Sequence, residues 1–132
     1  MAEVPEEKRQ HRRVRDTFLV RYNIKAPFAV KLQIGDKELN GVAADISEGG
    51  LGLFTAFDVP ASTEVNLQFT INLDGSGRES EHRVFELTAE VRYAFAIKGA
   101  SFRVGARFID ISPEERAFIG RYIESNRLRP DD

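Results

Sequence analysis

Two short patterns hold the residues best suited to chemistry in this chain. One is Arg9-Gln10-His11-Arg12-Arg13, an R-x-x-x-R; the other is Asp45-Ile46-Ser47-Glu48-Gly49-Gly50, a D-x-S-x-x-G. A guanidinium presents a planar fork of N–H donors that matches two phosphate oxygens at once and matches the O6/N7 edge of guanine equally well. It also stacks on base planes. A spacing of four brings Arg9 and Arg13 to one side of a helix, and an even spacing does the same in a strand. In the second pattern, apolar Ile46 is expected to point into a core, so Asp45 and Ser47 on either side of it should face outward together. A carboxylate acceptor and a hydroxyl two residues apart can read the donor edge of a base. Gly50 suits a backbone position of positive φ, or one where no side chain obstructs a ligand. Each pattern also has a plainer reading. The arginines can be a solvated charge run, and Asp45 and Ser47 can satisfy backbone groups where a strand enters a turn.

Other chemistries find little footing. The 132 residues contain no cysteine, which excludes disulfides and thiolate metal sites. His11 and His82 are the two histidines; neither has a second nitrogen ligand nearby, and His11 reads as a spectator within the arginine arm. Gly49-Gly50-Leu51-Gly52 lacks the Lys-Ser/Thr of a phosphate-binding P-loop. No Ser or Thr has a histidine placed to activate it. No metal or cofactor is expected, and neither is an enzyme. The net charge of −2 conceals an uneven distribution. From Lys8 to Lys31 eight basic residues face one acidic residue, a charge of +7, and the remainder carries −9. A concentrated basic arm on an acidic body suits a compact anionic partner rather than long nucleic acid, which calls for a broader positive field.

The elements that must position these residues are mostly strands. Phe18, Val20, Tyr22 and Ile24 alternate with Leu19, Arg21 and Asn23, and Val30, Leu32 and Ile34 alternate with Lys31 and Gln33. Val65 to Leu73, Phe85 to Ile97, and Phe102 to Phe108 continue the same period of two. Two further strands are expected in Leu39–Ile46 and Leu51–Thr55, and a polar hairpin loop in Asp74–His82. The set predicts an all-β fold: a small antiparallel barrel of six or seven strands, closed or nearly closed, since closure removes exposed edges. By parity Tyr93 belongs to the core, whereas Arg92 and Arg107 face outward. Ser112-Pro113-Glu114-Glu115 is a capping box with Pro at the first helical position. Phe118, Ile119, Tyr122 and Ile123 then give one apolar face to a C-terminal helix that plugs or flanks the barrel.

An R-x-x-x-R before the first strand, a D-x-S-x-x-G some thirty residues on and a late Val104-Gly105-Ala106-Arg107-Phe108 before a helix together resemble the PilZ domain family, over Lys8 to about Ile123. The resemblance implies a non-catalytic effector that binds the bacterial second messenger cyclic di-GMP on the outside of the barrel. It implies that Arg9 and Arg13 hold phosphate and guanine, and that Asp45, Ser47 and Gly50 line the guanine site. Lys8, Arg12, Gly49, Arg92 and Arg107 are candidate further contacts. The expected organisation is a disordered leader over 1–7, a single domain over 8–128 and a tail over 129–132. The expected setting is the bacterial cytoplasm, with the N-terminal arm rearranging on the ligand and a downstream protein in motility, exopolysaccharide or transcription machinery reading the change. No membrane span and no DNA partner are expected. Two alternatives stand beside this: a PilZ-like interaction module without ligand, and a small nucleic-acid-binding barrel, which would need aromatics on its wet face.

Overall fold

Alternation of apolar and polar residues builds the barrel wall strand by strand. The computed structural model describes residues 13–15, 17–73 and 81–126. Its strands are β1 (Arg13–Arg15), β2 (Leu19–Ala26), β3 (Leu39–Ser47), β4 (Gly50–Thr55), β5 (Glu64–Leu73), β6 (Glu81–Ile97) and β7 (Ser101–Phe108). All pairings are antiparallel. β3, β2, β5, β6, β7 and β4 follow one another, and β4 returns to β3, so six strands form a closed ring. β1 pairs with residues 45–47 of β3 while β2 pairs with residues 39–42 of the same strand. The two therefore run in line along one edge of β3. The expected all-β barrel with a C-terminal helix is what the chain builds.

The buried parity follows the sequence closely on β2 and β5, where Val20, Tyr22, Ile24, Val65, Leu67, Phe69, Ile71 and Leu73 are all buried. Phe69 stacks on Phe85 across the β5–β6 ladder, with centroids 5.1 Å apart, and Phe18 and Phe108 pack against Phe69 from either side. Of the expected loop over Asp74–His82, Glu81 and His82 belong to β6, and 74–80 lie outside the described residues.

One expected strand is a helix. Residues 28–34 form α1 (Phe28–Ile34), not a β-strand. Val30 and Ile34 share a parity, but they are also four apart, so the same residues fit one helical face. Pro27 immediately before them has no N–H to lose at a helix start, and Gly35 at φ 127° ends the helix with its N–H on the Lys31 carbonyl. Val30 is buried, whereas Phe28 and Leu32 are exposed.

The C-terminal helix, α2 (Pro113–Asn126), starts as its capping box requires. The Ser112 hydroxyl accepts from the Glu115 N–H at 3.1 Å, and the Glu115 carboxylate accepts from the Ser112 N–H at 2.9 Å. Its buried face is Phe118, Ile119, Tyr122 and Ile123, with Asn126. Phe118 meets Phe85 edge-on at 5.9 Å, and the Arg116 guanidinium donates to the Glu48 carbonyl at the β3–β4 turn. The helix thus packs against the barrel beside the D-x-S-x-x-G segment.

Candidate functional site

Two extra residues in the strands decide what the outer wall presents here. Along β3, Leu39, Gly41 and Ala43 occupy the buried parity. The register then skips: Ala43 faces Leu53, yet Asp45 faces Gly52. Ala44 is the additional residue of a β-bulge, which flips the parity for the rest of the strand. Ile46 takes the core position, fully buried, and Asp45 is turned away from it. On β6 the same device recurs. Val91 faces Ala106 and Tyr93 faces Gly105, so Arg92 is the extra residue. Tyr93 therefore does not join the core as parity predicted; it is 42% exposed, and Ala94 packs inward in its place. Its ring lies on Gly105, where an added Cβ would collide with ring carbons, and stacks on Phe95 at 5.9 Å.

Register across the wall assembles two rows. The first runs Arg13, Ser47, Gly50, Arg107, Glu90. The second runs Arg15, Asp45, Gly52, Gly105, Tyr93. The backbone thus brings Arg13 directly opposite Ser47, with Gly50 on the other side and Arg107 beyond it. Arg15, which the motif reading passed over, stands opposite Asp45; its signal was only its even spacing from Arg13. Lys8, Arg9, His11 and Arg12 lie outside the described residues.

The hydroxyl of Ser47 does not face outward free, as expected. Ser47 is 3% exposed, and its Oγ accepts from the Gly49 N–H at 3.1 Å and donates to the Gly50 carbonyl at 3.3 Å. Its first task is to tie the β3–β4 turn, because a tight turn leaves backbone groups that a short hydroxyl side chain can reach. Gly50 needs its missing side chain for space and not for φ: an added Cβ would strike the Ala106 carbonyl on β7. Gly49 passes its carbonyl to the Phe108 N–H at 2.9 Å.

Asp45 is engaged on both oxygens. Oδ1 accepts from the Gly52 N–H at 3.2 Å, and Oδ2 receives Arg103 Nη2 at 2.5 Å. The side chains of Asp45 and Arg103 are 13% and 24% exposed, so the pair is largely shielded from water. Arg103 also lies over the Phe54 ring, 5.4 Å from its centroid. Nothing local in the sequence marks Arg103, which meets Asp45 only through the β3–β4–β7 register. At the far end of the first row, Glu90 binds Arg107 at 3.0 Å and Arg92 at 3.5 Å, both well exposed. The wall is thus glycine-floored, with a paired carboxylate on one side and two solvated arginines on the other. It offers donors for an anion and flat backbone for a ring. Among its described residues no nucleophile has a base beside it. Among the described residues no three His, Asp or Glu side chains group to hold a metal, and no helix is long and apolar enough to cross a membrane.

An uncharacterized protein of Aquifex aeolicus (strain VF5) is 30% identical over 122 residues, covering 92% of this chain; the chain spans 51% of that relative's length. The Bacillus subtilis inhibitor of motility, MotI/DgrA, superposes with a TM-score of 0.73 at 17% identity, over 95% of this chain and 54% of that one. YcgR of Escherichia coli in complex with c-di-GMP superposes at 0.60 with 17% identity, over 89% of this chain and 45% of that one. The PilZ domain of YcgR with c-di-GMP gives 0.59 at 18% identity, over 91% and 92% respectively. At these identities the superpositions establish the fold. The PilZ domain profile itself matches residues 7–125, nearly the whole length, and spans both motifs and the capping box; the chain belongs to the PilZ domain family.

Proposed function

We propose that this domain binds cyclic di-GMP on the glycine-floored wall and acts as a non-catalytic effector, its N-terminal arm closing over the ligand. The observation that carries the reading is the register of β1: Arg13 sits opposite Ser47 and Arg15 opposite Asp45, so the basic arm enters the wall beside the D-x-S-x-x-G turn. Family membership and the fold shared with c-di-GMP-bound YcgR support it. Arg9 and Arg13 grip phosphate and the guanine O6/N7 edge, while Asp45 accepts from guanine N–H groups. Ser47 and Gly50 shape the turn against which the base lies. Arg12 and Lys8 add charge from the arm, Gly49 open backbone, and Arg92 and Arg107 a cationic rim. Ordering the arm costs entropy, and the newly formed surface is what a partner reads. The likeness to MotI, an inhibitor of motility, makes a motility component the first partner to try.

Calorimetric titration with cyclic di-GMP tests the reading. Heat with saturable binding is expected, and Arg13→Ala or Asp45→Ala should abolish it. No heat from folded wild type at tens of micromolar ligand defeats it. One observation favours the second reading, a module that does not bind: Asp45 is already held by Arg103, and Ser47 by its own turn. The same titration separates the two.

A further inference from the structure

Arg103 reaches Asp45 from 58 residues away in sequence. An added Cβ on Gly52 would come within 3.0 Å of Arg103 Nη2, 3.1 Å of its Nε and 3.1 Å of Asp45 Oδ1. The guanidinium therefore fills the space directly above the glycine floor, donating to the carboxylate. Guanine N1–H and its exocyclic N–H form a comparable planar donor pair, and a carboxylate can receive only one such pair in its plane. The Arg103 pose is also under-satisfied, because Nε is buried with no hydrogen-bond partner. An alternative seat lies beside it: the Phe54 ring, already in contact and 36% exposed.

We propose that Arg103 is a displaceable stand-in for guanine: its guanidinium occupies the Asp45 acceptor over Gly52 until the ligand base expels it toward Phe54. The inference rests on the proposed cyclic di-GMP function and deepens it. Two consequences follow. The apparent affinity is lowered by the fraction of molecules in which Asp45 is held by Arg103. Selectivity is raised, because a base with two adjacent donors offers Asp45 more than the single Nη2 contact that Arg103 gives up. Adenine presents an acceptor at N1 and leaves the carboxylate worse off than before.

The test titrates wild type and Arg103→Met with cyclic di-GMP and with cyclic di-AMP, alongside thermal melts. Methionine keeps a long apolar side chain at this position and removes the fork. Because partly exposed ion pairs are weak, the expected gain for Arg103→Met is about three- to fivefold tighter cyclic di-GMP binding. Its preference over cyclic di-AMP should narrow. An unchanged or weaker affinity in a folded Arg103→Met overturns the inference while leaving the ligand reading intact. Absence of binding by wild type overturns both. Should Arg103→Met fail to fold, the side-chain 15Nε resonance of Arg103 in wild type decides. A shift on saturation with cyclic di-GMP supports displacement, and an unmoved resonance refutes it.

Discussion

The outer surface of the barrel has two unlike stretches. Between β5 and β6 ten residue pairs run in unbroken register, from Glu64 opposite Glu90 to Leu73 opposite Glu81. The outward residues there pair among themselves: Asn66 donates to Asn23 at 2.9 Å, Thr88 donates to Asn66 at 3.4 Å and Gln68 donates to Glu86 at 3.4 Å. The open hollow over β2, β5 and β6, about 290 Å³ in volume, is lined by these groups together with Arg21 and Glu38. Between β3, β4, β7 and the end of β6 the register skips twice, glycines replace side chains, and a carboxylate and a hydroxyl are shielded from water. Regular ladders maximise core burial; bulges re-aim particular side chains. The difference teaches where this fold spends its irregularity. Two of the three register skips lie on the wall that carries the motif, the third falling between Ile24 and Ala26 at the end of the β2–β5 ladder, and the regular β5–β6 wall is the quieter one.

Substitutions can break or sharpen that contrast. The largest effect is expected at Gly50, where the side chain of Gly50→Val has nowhere to go but into the β7 backbone. Overpacking of this kind should cost about 3 kcal/mol, visible as a fall of roughly 10 °C in the melting midpoint. Asp45→Ala comes next, because it strands the Arg103 guanidinium and the Gly52 N–H together. About 2 kcal/mol should be lost in urea melts, along with ligand binding; a melt unchanged from wild type would contradict the shielded pair. Tyr22→Phe probes the bond that crosses the interior between the two walls, Tyr22 Oη to Thr55 Oγ1 at 2.6 Å. Its loss should cost about 1 kcal/mol at neutral pH. Burial raises the Tyr22 pKa above the usual tyrosine value, and the Thr55 hydrogen bond offsets this only in part. The folded form therefore keeps its proton where the unfolded form, beginning near pH 10, releases it. Stability should fall as pH rises beyond that point, with a shallower fall in Tyr22→Phe, measured by alkaline denaturation. The smallest change is expected from Asn66→Val on the quiet wall, within about 0.5 kcal/mol of wild type and with ligand heat unaltered.

Much of this was legible in the chain. Six of the seven strands are expected from the chain, β2, β5, β6 and β7 by their period of two and β3 and β4 in Leu39–Ile46 and Leu51–Thr55, and the reciprocal bonds of Ser112 and Glu115 follow from their spacing alone. What escaped has physical causes. Val30, Leu32 and Ile34 fit a strand by parity, but the four-residue step from Val30 to Ile34 fits a helix just as well, and Pro27 with Gly35 settles the matter. Tyr93 was assigned inward because alternation carries no mark of an extra residue; a bulge shows only when the partner strand is known. Ser47 was expected to face out, and its short hydroxyl instead found backbone two and three residues on. Arg103 left no trace near Asp45 because their meeting depends on two intervening registers. The short β1 pairing that sets Arg13 opposite Ser47 was not expected either, because three residues are too few to show a period.

β1 and β2 lie end to end on one edge of β3, and the ring of six closes without β1. Closure and arm attachment are therefore separate structural variables. Three rungs of main-chain pairing hold Arg13 to Arg15 in place, and their release would leave every joint of the cylinder fastened. A domain constructed in this way can change what its arm does without loosening the vessel that carries it, so evolution or an engineer could exchange the arm while keeping the drum.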